Sequence, residues 1–140
     1  MTMHLQLGTV SDYAYSDPSG KLFILGEFRY IEVPSVPVIQ RRMFLTVRVA
    51  GHKTEGHEHE LKMDLTDADG TSILARPIEG PVRFEDMGPG DVAKIQAQMI
   101  IEVTGTEFPN YGDYAFHIFV DKRHIGDVPL TLVMPSAEVS

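Results

Sequence analysis

Two histidines separated by one residue are the side chains of this sequence best suited to bind a metal ion. His57 and His59 follow Gly51 closely along the chain, and Asp64 comes five residues after His59. Residues i and i+2 of an extended strand share a face, so both imidazoles could reach one Zn, Fe, Ni or Cu ion. His52, in the preceding loop, could add a third ligand if that loop folds back.

The spacing is similar to the first metal motif of cupins, in which a glycine and five further residues precede His-x-His and then an acid. The resemblance implies a metal-dependent small-molecule enzyme that uses His57 and His59. Two departures weaken it: alternation places Asp64 on the opposite face, and no second histidine motif follows near Gly88–Gly90 or Gly126. We favour the alternative, a polar and solvated strand start without metal or other cofactor.

Other catalytic patterns are missing from the sequence. It has no cysteine, no G-x-S-x-G motif and no glycine-rich phosphate-binding loop. Asp67-x-Asp69-Gly70 suggests a calcium loop, but Leu65 and Arg76 occupy its first and last ligand positions. We therefore predict a hairpin turn at this point, and a protein that is not an enzyme.

Length and charge limit the remaining functional classes to which the protein could belong. The 140 residues fit one domain, residues 1–140, with residues 135–140 as a frayed tail. A formal charge of −8, with lysine and arginine scattered, argues against a nucleic-acid partner. No apolar run approaches the roughly 20 residues of a membrane-spanning helix, and the first residues do not resemble a signal peptide. The expected location is the cytoplasm.

Alternating side chains dominate the chain and predict β-strands. Arg42–Ala50 places Met43, Leu45, Val47 and Val49 on one face, and Lys94–Thr104 and Tyr114–Val120 alternate in the same way. No window has a helical period with caps. Short strands separated by turn residues indicate an all-β sandwich or barrel.

The stretch Gly20–Pro34 reads as a central strand, because its first half is apolar on both faces. Gly26 within it predicts a bulge or a close approach of another part of the chain.

Gly112-Asp113-Tyr114-Ala115-Phe116 is similar to the tyrosine corner of immunoglobulin-like domains, in which the tyrosine hydroxyl bonds to backbone a few residues upstream. The resemblance favours an immunoglobulin-like antiparallel β-sandwich of about seven to nine strands over a barrel.

Several segments also resemble a family of small uncharacterised bacterial β-sandwich proteins. They are Asp12-Tyr13-Ala14, Gly20-Lys21-Leu22 with Ile24-Leu25-Gly26 and Phe28, the turn at Asp67–Gly70, and Val128-Pro129-Leu130. The resemblance covers most of the chain and rests on turns and core positions. It implies a fold and supplies no activity, ligand or catalytic residue. His57-Glu58-His59 is not part of the family's pattern.

Large apolar residues at positions that should face solvent suggest a contact surface. Phe44, Phe119 and Val133 are such residues, and in a sandwich of this order their strands would be neighbours in one sheet. An exposed patch of a few hundred Å² usually marks an interface. The sequence thus predicts a non-enzymatic binding or structural module that associates as a homodimer or with a protein partner. A carbohydrate-binding module using Tyr13, Tyr15 or Tyr111 is a third interpretation.

Overall fold

A computed structural model describes residues 3–87 and 93–136 of the chain. Gly88–Gly90 and residues 137–140 of the predicted tail lie outside these ranges. Ten β-strands and one 3₁₀ turn, Lys53–Glu55, follow one another along the described residues. The strands are β1 His4–Ser16, β2 Leu22–Glu27, β3 Tyr30–Glu32, β4 Val38–His52, β5 Glu58–Asp67, β6 Ile78–Arg83, β7 Glu85–Asp86, β8 Lys94–Phe108, β9 Gly112–Val120 and β10 Arg123–Val133.

The strands form two five-stranded sheets, which confirms the all-β prediction. The first sheet has the order β2-β1-β4-β8-β7 and the second the order β3-β10-β9-β5-β6. The strands pair antiparallel except β3, which pairs with β10 in parallel, and the ten strands are one more than the expected number of about seven to nine. The immunoglobulin-like assignment stays a prediction. In the described part of the chain, no helix is long and apolar enough to cross a membrane.

One apolar core lies between the sheets, as the alternation predicts. Met43, Leu45, Val47 and Val49 of β4 are fully buried, and they share a cluster with the inward residues Phe116 and Ile118 of β9. Burying a side chain of this size is worth about 1.5–3 kcal/mol. Two facing sheets therefore fix which side chains of each strand remain outside to form surfaces.

The predicted central strand over Gly20–Pro34 is wrong. Gly26 has a φ of +71°, and a Cβ there would lie 2.5 Å from the Asp12 carboxylate, so the predicted close approach is present. The chain bends there and divides into β2 and β3, which are edge strands of different sheets. The apolar residues that suggested burial on both faces instead give β2 an exposed apolar side.

The start of β9 has the hydrogen bonds of the predicted tyrosine corner. The Tyr114 hydroxyl donates to the Asn110 carbonyl at 2.7 Å and accepts from the Asn110 N–H at 3.2 Å. The ring packs edge-on against Phe108, 4.9 Å between centroids. The side chain therefore ties the chain before β9 to the core.

Replacing Tyr114 with phenylalanine should lower the free energy of unfolding by about 1 kcal/mol, because both hydrogen bonds are lost while the ring stays packed. Urea unfolding measures the change. Tyr30→Phe is the control, since Tyr30 is 66% exposed and should cost less than about 0.5 kcal/mol. Equal losses of unfolding free energy in the two variants would contradict a stabilising role for the tyrosine corner.

Candidate functional site

An exposed apolar surface covers the outer side of the first sheet near its β2 edge. It consists of Tyr13 and Tyr15 on β1 and of Phe23 and Leu25 on β2, which are 39–55% exposed. We call these four side chains the aromatic edge. Tyr15 pairs with Phe23 and Tyr13 with Leu25 across the two strands. The Tyr15 and Phe23 rings stack with centroids 4.8 Å apart and planes 9° apart.

Strand geometry explains why the aromatic edge faces solvent. Ala14 of β1 is 3% exposed and points into the core, so its neighbours Tyr13 and Tyr15 point away from it. β2 ends the first sheet, and no described strand pairs with its free side. Its six residues include no proline and no lysine, the residues that commonly protect such an edge from pairing.

The residues predicted to form the contact surface do not come together. Phe44 lies on β4 in the first sheet, whereas Phe119 and Val133 lie on β9 and β10 in the second. Phe44 does point outward, but it is only 7% exposed, because the Tyr13 ring packs edge-on against it at 5.1 Å. The predicted single patch is therefore wrong, and Tyr13, Phe23 and their neighbours form the exposed surface instead.

His57 and His59 pair with different carboxylates. Nε2 of His57 lies 2.8 Å from Asp86 Oδ1 at the edge of the first sheet. His59 is 9% exposed, and its ring nitrogens lie 2.6 Å from Asp121 Oδ2 and 2.7 Å from the Gly56 carbonyl oxygen. Both neighbours of His59 are hydrogen-bond acceptors, so both contacts are satisfied when the ring is protonated and donates from each nitrogen.

Ionisation of the His59–Asp121 pair agrees with this geometry. Burial lowers the pKa of His59, but the hydrogen bonds to Asp121 and Gly56 and the nearby carboxylates together raise it above its usual value. The pKa of Asp121 is lowered, first by the hydrogen bond from the Glu60 backbone N–H and then by His59. His57 and His59 thus pair with separate carboxylates and are not among the described side chains whose ligand atoms converge on one point, so the cupin-like arrangement is not favoured.

His52 closes the turn between the two sheets. Its Nδ1 accepts from the Thr54 N–H at 3.2 Å, and its own backbone N–H donates to the Glu55 carboxylate at 3.0 Å. The second of these bonds, with the bond that the His52 side chain accepts from the Glu55 backbone N–H, forms a capping box on the 3₁₀ turn. The loop does fold back, as a third metal ligand at His52 would require. The imidazole of His52 nevertheless bonds to the backbone of its own turn.

A cluster that sequence reasoning missed lies on the outer face of the second sheet. His117 Nδ1 and His124 Nε2 each lie 2.6 Å from the same oxygen of Asp127, and the Thr66 hydroxyl lies 2.7 Å from His117 Nε2. In the described ranges, His117, His124 and Asp127 are the one group of three or more side chains whose ligand atoms could share a metal ion. Burial raises the pKa of Asp127, but the two imidazoles outweigh it and the pKa is lowered.

A tight turn and a bulge assemble this cluster. Asp121 and Lys122 have φ values of +50° and +69° and form a two-residue turn, which places His124 opposite Phe119. Residues three apart on a regular strand point to opposite faces, but the register shifts between His124 and Gly126 and returns Asp127 to the face of His124. The turn could have been read from the sequence, and Gly126 at the bulge is the signal that could have marked the break in the strand.

A groove of about 330 Å³ opens between β6 of the second sheet and β8 of the first. Met63, Ile78, Val82, Met99 and Ile101 line most of it, and Glu79 is its one titratable lining residue. The groove offers apolar contact without the convergent polar groups that orient a reacting molecule.

Comparison with known proteins gives a family and a distant structural likeness. No protein of curated function matches the chain. One similar solved structure is that of the Pseudomonas fluorescens alkylpurine DNA glycosylase AlkC bound to DNA containing an abasic site analog, at 12% identity and a TM-score of 0.44. The likeness covers 94% of this chain and 30% of that one, and at this similarity it carries no functional argument.

A family model covers residues 6–133, nearly the whole chain. This match agrees with the expected relation to uncharacterised proteins, whereas the specific opening motif and the bacterial origin stay predictions. The protein belongs to the family of unknown function DUF6941.

Proposed function

We propose that the protein is a non-catalytic binding module that pairs with a second copy of itself through the aromatic edge. The observation that carries the proposal is an unprotected edge strand, β2, whose outward side chains Phe23 and Leu25 are 39% and 55% exposed. Such strands are ready templates for pairing with another chain. A symmetric pair also uses the same surface twice, as most homodimers do.

An antiparallel register centred on Ile24 gives the pairing chemical complementarity. It places Phe23 of each copy opposite Leu25 of the other and Lys21 opposite Glu27. Aromatic–aliphatic and opposite-charge pairs across strands are each worth about 0.2–1 kcal/mol. Pairing would also satisfy backbone groups on the free side of β2.

A sugar ligand fits the aromatic edge less well. Carbohydrate platforms present ring faces to the ligand, but the Tyr15 and Phe23 rings turn a face to each other at 4.8 Å. Tyr111 lies elsewhere and donates its hydroxyl to the Val33 carbonyl at 2.9 Å. Nucleic acid is also a poor partner, since the formal charge is −8. The cytoplasmic location stays a prediction.

Light scattering and sedimentation over a range of concentrations test the proposal. The mass should rise from 15.6 kDa towards about twice that value. Leu25→Glu should return it to the monomer value at all concentrations, because pairing would bury the new carboxylate against an aromatic ring. Hydrogen exchange of the β2 amides should slow with concentration in the wild type only.

Phe119→Glu is the matched control, since it places the same charge on the outer face of the other sheet. We expect this variant to associate as the wild type does. A wild type that stays monomeric, or an association abolished by Phe119→Glu and not by Leu25→Glu, would overturn the proposal.

A further inference from the structure

We propose that His117, His124 and Asp127 form a binding site for one late first-row divalent cation, such as Zn²⁺, on the outer face of the second sheet. The site is separate from the aromatic edge, which lies on the first sheet. It is also separate from His57 and His59, which pair with Asp86 and Asp121.

The three candidate ligand atoms already lie close together. His117 Nδ1, His124 Nε2 and Asp127 Oδ1 lie within 4.8 Å of one another. Two imidazole nitrogens and a carboxylate oxygen suit Zn²⁺ and its neighbours, whose bonds of about 2.0–2.2 Å place tetrahedral ligands about 3.4 Å apart. The two contacts of 2.6 Å to Asp127 would need to lengthen by less than an ångström (roughly 0.8 Å) for a cation to replace the shared protons.

Backbone structure holds these side chains in place. All three lie on the β9–β10 hairpin, whose two-residue turn and bulge fix the register of one strand against the other. Bulges commonly redirect a side chain towards a functional site. Here the bulge is what brings Asp127 to the face that His117 and His124 already share.

Thr66 fixes the orientation of His117. Its hydroxyl lies 2.7 Å from His117 Nε2, and the residue is 8% exposed. When Nε2–H donates to this hydroxyl, loss of the proton that Nδ1 shares with Asp127 leaves a lone pair on Nδ1, directed at the cation position. Metal-binding histidines almost always have such a partner on the second ring nitrogen.

The surrounding charges also favour a cation. Asp64 on β5 lies directly opposite His117 in the sheet, so carboxylates flank this histidine on both sides. The Lys62 ammonium is the opposing charge on this face, but it is held over the Phe119 ring, 5.6 Å from the ring centre. That ring packs against His124 at 5.4 Å and covers one side of it.

The row of Thr66, His117 and Asp127 also resembles the hydroxyl–histidine–carboxylate relay of a hydrolase. Two features favour the metal site instead. Thr66 is only 8% exposed, which leaves little of the residue open to a substrate carbonyl. His124 has no part in a relay, yet it shares the same oxygen of Asp127 as His117.

Isothermal titration of tag-free protein with Zn²⁺ tests the proposal, and Co²⁺ absorption reports the ligand set. We expect one equivalent bound with a micromolar or tighter dissociation constant. His124→Ala and Asp127→Asn should each weaken binding by more than about 100-fold, and Thr66→Val by about 10–100-fold. The imidazole NMR signals of His117 and His124 should shift on binding.

His57→Ala is the control, because it removes an imidazole outside the cluster and should leave the affinity unchanged. Circular dichroism of each variant checks that it is folded. No saturable binding, or binding that is lost in His57→Ala and kept in His124→Ala, would overturn the proposal. Ester hydrolysis that is lost in Thr66→Val without any metal affinity would overturn it in favour of the relay.

Discussion

Replacing Phe84 with alanine should lower the free energy of unfolding by about 3–5 kcal/mol. Phe84 is fully buried although it lies between the short strands β6 and β7 rather than within one. Its ring packs edge-on against His59 at 4.9 Å, and its N–H donates to the His57 carbonyl at 2.7 Å. The ring therefore fills the core where β6 of one sheet is followed by β7 of the other, and its removal leaves a cavity there.

Urea unfolding of the Phe84→Ala variant measures this loss. Tyr30→Ala is the control, since this aromatic ring is 66% exposed and its removal should cost about 0.5 kcal/mol or less. Phe84→Leu should fall between the two, because it restores part of the lost volume. A loss below about 1 kcal/mol for Phe84→Ala would show that the site collapses or that the ring is not buried.

Alternation along a strand predicted which side chains lie inside, because two facing sheets impose one period on the whole chain. Met43 and Leu45 on β4 and Phe116 on β9 are buried as the pattern indicated. Alternation does not specify which strand lies beside which. Phe44 points outward as predicted, but β1 lies next to β4 and brings Tyr13 over its ring.

Local breaks in the strands limited the prediction of surfaces and sites. Gly26 was expected to mark a close approach, but its positive φ also divides one apolar run between two sheets. The bulge after His124 is invisible in a pattern of alternating residues, and without it Asp127 would face away from His117 and His124. The aromatic edge and the proposed metal site both depend on such irregularities, so neither follows from periodicity alone.

Asp121→Asn should lower the pKa of His59 and cost about 2 kcal/mol of stability at mildly acidic pH, where the ring is charged. The Asp121 side chain is 51% exposed, so solvent screens part of the interaction and keeps the loss below that of a fully buried pair. Asparagine tolerates the φ of +50° at this position, and its side-chain oxygen can still accept from the Glu60 N–H. The variant therefore removes the charge and keeps the turn.

The sign of the pH dependence follows from the direction of the shift. Because folding raises the pKa of His59, the stabilisation is fully present below about pH 6.5, the unfolded value, and is lost as pH rises through the folded value. Asp121 acts in the opposite sense. Because folding lowers the pKa of this carboxyl, its stabilisation of the folded state is lost only as the pH falls below the usual pKa of an aspartate and through the lowered folded value. The difference in the free energy of unfolding between wild type and Asp121→Asn should therefore be widest at about pH 5.5 and narrow as the pH rises through the folded pKa of His59.

Urea unfolding at several pH values, with an NMR titration of the His59 ring, measures both effects. Asp86→Asn is the matched control, because it removes the partner of His57, whose side chain is 27% exposed against 5% for His59. This more exposed pair should contribute less than the His59–Asp121 pair, because solvent screens it more strongly. A gap that does not change with pH, or a wild-type His59 that titrates below about pH 6.5, would show that the ring is neutral. His59 would then keep a lone pair, and the charged pair with Asp121 would be wrong.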